Sequence, residues 1–443
     1  MTQRPEKSGE NIPDHWKLVV SPDGRRICKA DGSDWLWMGD TAWALFLRLD
    51  REQADRYLEK RAIQGFSVIQ AVAVMGYSFT WNAPNLYDDR PFQADDPSRP
   101  NEPFWEHADY IIDKAKRLGM YVALLPTWGS FWGREATIDY ARWIADRYRH
   151  QENIIWVNGG DRSVKEDAGL FNEIGNVFHE TCPQHLTTFH PRAGDPSSQH
   201  FHDQPWLDFN MNQSSHGQRD IRSDLQVDID WKKTPAKPTL DGEPCYERHP
   251  IGWKADTGEF QPHDVRQLAY WTLFAGATGI TYGHVCVWIF NNAETFTYPE
   301  HHNSISPSLN WWDEIDSEGA HDMTHVVNLM MSRPHAGRRP AQSLLDDEQD
   351  GPASLRATVG NGYAFAYTSQ GAGLTVNLDS LPWRNHTCWW FNPRDGRALR
   401  IVEVPSSLTH KFDPPDDTGG DWVLVIDDAN KGYEAPGTCS AGS

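Results

Sequence analysis

The chain has 443 residues, and its 41 lysines and arginines against 62 aspartates and glutamates give a formal net charge of −21. This negative charge repels nucleic acids and anionic membrane surfaces, and no segment approaches the roughly 18 continuous apolar residues of a membrane span. We therefore expect neither a nucleic-acid partner nor a membrane partner. Residues 1–16 are polar and contain no apolar signal core, which predicts a cytoplasmic protein.

The cysteines indicate the redox environment of the protein, and the tryptophans indicate the kind of ligand. The six cysteines are scattered without a CxxC pair, so we expect free thiols rather than a zinc ribbon or a dense disulfide framework. Many of the 21 tryptophans follow predicted strands, as they do in sugar-stacking sites. Large barrels also fill their cores with aromatic rings, so either interpretation is open for each tryptophan.

Apolar, strand-like segments alternate with amphipathic helical segments over most of the chain. The predicted strands are 35–40, 66–74, 120–128, 153–160, 185–191, 207–213, 237–244 and 278–288. The predicted helices are 51–65, 104–119, 137–150, 167–182, 263–276 and 321–332. Eight such units predict an α/β fold, a (β/α)₈ TIM barrel, although no helix is evident between the fifth and sixth strands. A doubly wound sheet is the main alternative, but its Gly-rich phosphate loop is missing after the first strand, where the sequence reads GDTAW.

After residues 332–340 the pattern changes to short apolar strands separated by Gly, Asp and Pro turns, without helices. This pattern predicts a small antiparallel β-sandwich. We expect a catalytic barrel over residues 12–334, a sandwich domain over 335–430, and a tail over 431–443.

In barrels of this type the reactive side chains follow the carboxyl ends of the strands. Asp161 follows the fourth predicted strand and Glu243 the seventh, so the two stand across the mouth of the barrel. Two carboxyl groups that straddle a glycosidic bond are what glycoside hydrolysis requires. Other polar and aromatic side chains near strand ends are candidates for substrate contacts: Asp40, Trp43, Trp128, Trp132, Asn158, His190, Gln213, His216, Tyr282 and Trp288.

Less specific explanations exist for both carboxylates. Asp161 can cap the following helix or close the Gly-Gly turn, and Glu243 can pair with Arg248 or Arg192. Asp241 and Glu247 are also close in sequence, and strand alternation places Asp241 on the same face as Glu243. Asp40 can accept a sugar hydroxyl or brace a neighbouring side chain.

A metal site is the competing hypothesis. HFHD (200–203) and EHHN (300–303) are rich in histidine, and His190 and His216 follow strands. Neither cluster has a known ligand spacing such as HExxH, so we expect no metal, and no motif indicates another cofactor.

Six segments in order, WMGDTAW, IIWVNGGD, FHP, MNQSSHG, LDGEPCYE and VWIF, resemble the apiosidase-like glycoside hydrolases of family 140. The resemblance covers residues 16 to 430 and implies a (β/α)₈ barrel with a C-terminal β-sandwich. It implies that Asp161 is the acid/base, that Glu243 is its carboxylate partner, and that the substrate is a plant glycan or glycoside carrying apiose.

The combined hypothesis is a retaining glycosidase, with carboxyl groups about 5–5.5 Å apart rather than the 6.5–9.5 Å of inversion. Asp161 then needs a raised pKa, to which the charge of Glu243 contributes. An acidic glycan is compatible with the net charge if Arg134, Arg162, Arg192 and Arg248 form a positive mouth; otherwise the substrate is a small neutral apioside. The lack of an apolar signal core favours an imported small glycoside, so we expect the neutral apioside. A glycosidase for another furanoside or pyranoside and a non-catalytic sugar-binding barrel are the alternatives. The sequence does not indicate the oligomeric state.

Overall fold

The N-terminal hairpin is the first element of the computed structural model, which describes residues 12–76, 80–129, 132–294, 309–346, 351–402, 409–415 and 420–438. Its antiparallel strands are Leu18–Val20 (β1) and Ile27–Lys29 (β2). These three-residue strands lack a long apolar pattern, and the sequence analysis did not predict them.

Eight parallel strands form the central sheet. If the strands are numbered along the chain, they lie side by side in the order 7, 6, 5, 4, 3, 10, 9, 8. They are Trp37–Thr41 (β3), Val68–Val74 (β4), Tyr121–Thr127 (β5), Ile154–Arg162 (β6), Thr187–Pro191 (β7), Asn210–Asn212 (β8), Thr239–Asp241 (β9) and Gly279–Tyr282 (β10). The outer strands β7 and β8 meet at Asp208, whose N–H donates to the Thr187 carbonyl (2.9 Å) and whose carboxylate accepts the Thr187 N–H (2.8 Å). The sheet is thus nearly closed, and the predicted barrel is confirmed.

Helices surround this sheet. They are Leu45–Arg48 (α1), Arg51–Ile63 (α2), Glu102–Arg117 (α3), Arg134–Tyr148 (α4), Val164–Thr181 (α5), Ser223–Trp231 (α6), Pro262–Phe274 (α7), Trp311–Glu314 (α8) and Glu318–Met331 (α9). Six of them match the predicted helices to within a few residues. In the described part of the chain, no helix is long and apolar enough to cross a bilayer.

The connection from β7 to β8 contains one 3₁₀ turn, Ser197–Gln199, where the sequence showed no clear helix. Helix α6 was missed because DLQVDIDW alternates polar and apolar residues, which is a strand pattern. In the folded chain this pattern leaves Leu225 and Ile229 exposed.

Side chains alternate between the barrel interior and the helix layer. On the interior side, Trp37 donates its ring N–H to Thr281 of the neighbouring strand (3.0 Å), and Gln70 donates to the Gly242 carbonyl (2.7 Å). The intervening residues Met38 and Ile280 pack outward in a cluster that includes residues of α7 and α9. This alternation decides which residues at a strand end can face the mouth.

The C-terminal domain consists of antiparallel strands, and the predicted β-sandwich is confirmed. Its strands are Arg339–Pro340 (β11), Arg356–Gly360 (β12), Tyr363–Thr368 (β13), Leu374–Asn377 (β14), His386–Phe391 (β15), Ala398–Ile401 (β16), Thr409–Phe412 (β17) and Trp422–Asp428 (β18). Six strands form the larger sheet in the order β11, β12, β13, β18, β15, β16, and β14 pairs with β17 in a second sheet. Buried residues from both sheets share one apolar cluster.

Helix α7 packs directly on this domain. Tyr270 stacks on Tyr367 with ring centroids 4.8 Å apart. Beside them, Arg266 donates both Nε and Nη2 to the carboxylate of Asp421, each at 2.8 Å, and also pairs with Asp322. All three charged groups are buried, so the barrel and the sandwich share one charged and apolar interface.

Replacing Arg266 tests this interface. Removing one partner of a buried ion pair leaves uncompensated charge, so Arg266→Ala should lower the free energy of unfolding by about 3–5 kcal/mol. Arg142 pairs with Asp139 on the surface, and Arg142→Ala should cost less than about 1 kcal/mol. Urea denaturation of both variants measures the difference. Similar losses for the two would contradict a stabilising role for the buried network.

Candidate active site

The end of β6 has an unusual backbone. Gly159, Gly160 and Asp161 have φ values of 94°, 107° and 53°, and the register with β7 shifts between Gly159 and Arg162. A Cβ on Gly159 would lie 2.5 Å from the His190 carbonyl oxygen, and one on Gly160 would lie 3.0 Å from the Trp128 Cα. Only glycine fits at these two positions, and the bulge re-aims the side chain that follows.

Asp161 does not cap the next helix. Helix α5 begins at Val164, and its N-cap is Ser163. The capping explanation for Asp161 is therefore wrong, and the left-handed conformation of Asp161 belongs to the bulge itself.

Glu243 lies in the bend after β9 and is 7% exposed. Its Oε2 lies 3.1 Å from His190 Nε2, and its Oε1 lies 3.2 Å from His216 Nε2. Arg248 pairs with Glu259 and Glu314 instead, so the predicted alternative of an ion pair between Arg248 and Glu243 is wrong. Each carboxylate oxygen of Glu243 therefore has an imidazole nitrogen beside it, and His216 hydrogen-bonds its oxygen.

The backbone sets the tautomer of His216. The Tyr246 N–H donates to His216 Nδ1 at 3.2 Å, so this nitrogen is an acceptor. The ring proton is then on Nε2 and is donated to Glu243. A neutral imidazole thus stabilises the ionised carboxylate.

The two carboxyl groups have pKa values displaced in opposite directions. Burial alone would raise the pKa of Glu243, but the adjacent imidazoles of His190 and His216 outweigh burial and hold this pKa well below its usual range. Burial, followed by the negative charge of Glu243, raises the pKa of Asp161 to about 6. One group is ionised while its neighbour can retain a proton near neutral pH.

Aromatic rings enclose His190. The Trp43 ring lies 5.3 Å and the Trp128 ring 5.5 Å from the His190 ring, and the two indoles are 4.9 Å apart. All three side chains are buried. Trp288 lies next to this group, because its carbonyl accepts the Ala44 N–H (3.3 Å). The structure therefore brings these predicted residues together beside Glu243.

Gln213 lies in the loop after β8, which the Ser215 N–H ties to the Glu243 carbonyl (2.8 Å). Gln213 is buried, and within the described chain its amide oxygen has no hydrogen-bond partner. Trp132 belongs to a separate aromatic group with Trp81, where the two rings are perpendicular at 5.3 Å. Both residues remain predictions as substrate contacts.

Asp40 does not face the mouth. Its carboxylate is fully buried against α2 and accepts hydrogen bonds from Tyr57 (2.5 Å) and Arg61 (2.7 Å). Strand alternation directs Asp40 outward, like Met38. The prediction of a sugar contact is corrected to the alternative of a brace between the barrel and the helix layer.

Asn158 and Tyr282 also point outward and are corrected in the same way. Asn158 donates to the Phe171 carbonyl in α5 at 2.7 Å. Tyr282 donates to Glu247 at 2.6 Å, and Glu247 also accepts from Ser317 at 2.9 Å. These contacts assign Asn158, Tyr282 and Glu247 to helix packing.

Asp241 supports the bend that carries Glu243. It pairs in register with the outward-facing Ile280, and its Oδ1 accepts the N–H groups of Glu243 and Ser214, each at 3.3 Å. Burial raises the pKa of Asp241 to about 6, although these hydrogen bonds oppose the rise. Because the chain bends after Gly242, Asp241 and Glu243 do not share a face, and the expectation that they do is corrected.

Tyr246 was missed by the sequence reasoning. Its hydroxyl accepts the Trp43 ring N–H at 3.1 Å, beside the indole that packs on His190. Burial, followed by the charge of Glu243, raises the pKa of Tyr246 well above its ordinary value, so the hydroxyl keeps its proton. Its place three residues after Glu243, within LDGEPCYE, was the available signal.

The histidines of HFHD contact polar side chains of the same part of the chain. His200 contacts Asp195 (2.5 Å), and His202 contacts Asn210 (3.1 Å). Among the described residues, no group of three His, Cys, Asp or Glu side chains is arranged to hold a metal ion. EHHN (300–303) lies outside the described residues.

Neutralising Glu243 tests the electrostatic coupling. In Glu243→Gln, loss of the negative charge should lower the pKa of Asp161 from about 6, with burial alone still raising it. NMR titration of carboxyl carbons labelled with ¹³C measures this pKa. The exposed Glu173→Gln change serves as the control and should leave it unaltered. An unchanged value in Glu243→Gln would contradict the coupling.

Comparison with known families and structures identifies both parts of the chain. Residues 21–336 match the family described as "Apiosidase-like, catalytic domain", and residues 340–427 match "Putative collagen-binding domain of a collagenase". No curated protein matches the chain.

Two solved structures are similar over nearly the whole length. A glycoside hydrolase shares 29% identity at a TM-score of 0.87, covering 94% of this chain and 98% of its own. A family 5 glycoside hydrolase from Bacteroides vulgatus ATCC 8482 shares 29% identity at a TM-score of 0.89, covering 96% of each chain. The chain therefore belongs to the apiosidase-like family of glycoside hydrolases.

Proposed function

We propose that this glycosidase releases terminal apiose by a retaining mechanism, with Glu243 as nucleophile and Asp161 as acid/base. The observation that carries the proposal is the opposite displacement of two neighbouring pKa values, Glu243 downward and Asp161 to about 6. Pairs of carboxyl groups displaced in this way carry the acid and base roles in glycosidases. The apiosidase-like family supports the choice of sugar.

In the first step, one oxygen of Glu243 forms a bond to the anomeric carbon as the bond to the leaving oxygen breaks. Asp161 gives its proton to that oxygen, so the leaving group departs as a neutral alcohol. The imidazoles of His190 and His216 hold the two Glu243 oxygens in place before attack. His216 is neutral and donates only one proton, so it orients the carboxylate without forming a full ion pair.

In the second step, water attacks the glycosyl–Glu243 ester. Asp161, now ionised, accepts a proton from this water, and the sugar leaves with its original anomeric configuration. Glu243 returns as a carboxylate and Asp161 returns protonated. Atoms and charge balance over the two steps without a cofactor.

Two arginines near Asp161 favour a negatively charged leaving group. Arg162 and Arg192 both act to lower the pKa of Asp161, so both lie near it. Arg134 and Arg248 already form ion pairs, whereas in the described chain no carboxylate pairs with Arg162 or Arg192. A leaving group with a carboxylate, such as a uronate residue, would meet positive charge at this place. We therefore place an acidic glycan ahead of a small neutral apioside.

The alternative of a non-catalytic sugar-binding barrel is disfavoured. Such a protein needs tryptophans but not a buried ionised carboxylate. Burial of a charged group costs free energy, and such groups are concentrated at functional sites. Other furanosides are the second candidate for the substrate, because the aromatic wall of Trp43 and Trp128 can stack on any ring with an apolar face.

The first functional test is hydrolysis of an aryl β-apioside. Wild type should release apiose, and Glu243→Gln should lower kcat by a factor of about 10³ or more, because the nucleophile is removed. Glu173→Gln should retain wild-type activity. With methanol present, wild type should also form methyl β-apioside, as retention requires.

Each result can fail separately. A well-folded wild type that releases no apiose would overturn the sugar, and the methyl α-apioside would overturn retention. Glu243→Gln with more than a tenth of wild-type activity would overturn the assignment of the nucleophile.

The pH dependence tests the acid. Asp161 must be protonated at the start, so kcat/KM should be level below about pH 6 and fall about tenfold per pH unit above it. Glu243 has a lowered pKa and stays ionised over this range. Asp241 has a pKa of about 6 as well, so Asp241→Asn is the discriminating variant. We expect it to lower kcat/KM through the bend at Glu243 but to keep the alkaline fall; loss of the fall would assign the acid to Asp241.

A further inference from the structure

Trp253 is the one tryptophan in the described chain that exposes more than a third of its surface, at 40%. The other tryptophans are buried or half-buried. Single exposed apolar residues are common on proteins, so exposure alone has no significance. Two further features, its backbone and its position, set Trp253 apart.

The backbone at Trp253 is strained. Gly252 and Trp253 have φ values of 65° and 60°, so two successive residues lie in the left-handed region. A bulky residue rarely adopts this conformation, and such strain concentrates at ligand-binding sites. The segment is held by hydrogen bonds from the Gly252 N–H to the His216 carbonyl (2.8 Å) and from the Ile251 N–H to the Gly258 carbonyl (3.0 Å).

This conformation places the indole at the rim of the site. Its ring centroid lies 5.5 Å from those of both His216 and His249, in near-perpendicular arrangements of 73° and 85°. His216 and His249 stack at 4.4 Å, and His216 contacts Glu243 at 3.2 Å. Trp253 therefore packs on the imidazole that contacts the proposed nucleophile, and one ring separates it from Glu243.

The two oxygens of Glu243 thus lie between two different aromatic walls. On the His190 side, Trp43 and Trp128 are almost completely buried. On the His216 side, Trp253 is open to solvent. The proposed mechanism takes the buried side as the place of the terminal sugar, so the part of the substrate that extends toward solvent is the leaving group.

We propose that Trp253 is the platform on which the leaving group stacks a ring. This inference rests on the proposed function, because it takes the buried wall as the place of the terminal sugar. Every leaving group that can bind in this way has a ring with an apolar face, which packs on the electron-rich face of the indole. Such a ring is supplied either by an aryl aglycone or by the next sugar of a glycan.

Three substrates that share the same terminal sugar and differ in the leaving group test the platform. They are an aryl β-apioside, a β-apiosyl disaccharide and methyl β-apioside, which has no ring in its leaving group. Trp253→Ala should lower kcat/KM about tenfold for a ring-bearing substrate, mainly through KM, and less than about twofold for methyl β-apioside. Trp253→Phe should recover most of the loss. Trp389→Ala, in the C-terminal sheet, is the control and should match wild type on all three.

The outcomes separate the possible roles of Trp253. Loss on the aryl substrate alone identifies an aglycone platform, and loss on the disaccharide identifies a sugar subsite. Equal loss on all three substrates, including methyl β-apioside, would overturn the platform and assign Trp253 to the support of His216. No loss on any substrate would also overturn it.

A failure of the proposed function is distinguishable from a failure of the platform. If wild type cleaves aryl glycosides of another sugar but no apioside, the apiose assignment fails. The same comparison of aryl with methyl glycosides, made for the sugar that is cleaved, then decides the role of Trp253.

Discussion

The contact of two imidazoles with the two oxygens of Glu243 is the interaction on which the proposed chemistry depends. A carboxyl group this deeply buried would take up a proton if it were alone. His190 and His216 keep it ionised, and its charge then helps Asp161 to retain a proton. The roles of the two groups are therefore not independent properties of two residues. They follow from one arrangement of imidazoles around one carboxylate. The Tyr246 backbone N–H fixes this arrangement further, because it sets the tautomer of His216.

The second requirement is geometric and is met by the backbone. His190 reaches the interior because β7 alternates, whereas Asp161 follows a bulge that only two glycines allow. Side-chain direction at the mouth thus comes from two sources: regular alternation for the histidine and a local departure from it for the acid. If β6 continued regularly, the direction of a carboxylate at this position would be set only by the alternation of side chains along the strand.

Much of this arrangement could be predicted from the sequence, but side-chain direction could not. Eight strands, most of the helices and the pair Asp161 and Glu243 follow from periodicity, spacing and motif order. The side-chain directions of Asp40, Asn158 and Tyr282 were predicted wrongly. Parallel strands are buried on both faces, so their sequences are continuously apolar and do not indicate which side chains point into the barrel. Tyr246 and Trp253 belong to the segment after β9, whose bends come from loop hydrogen bonds rather than from periodicity.

The interface between α7 and the C-terminal sheet has a consequence for the independence of the two domains. Tyr270 and Phe274 present their rings to Tyr367 and Phe365, and Arg266 finds its carboxylate partner on the far side of the same boundary. A barrel cut free near residue 336 would present these rings to water, and Arg266 would lose Asp421 and keep only Asp322 as its partner. Such a fragment should self-associate rather than persist as a soluble monomer. The sandwich therefore covers a face of the barrel that cannot be left open to water, and the two domains form one folding unit.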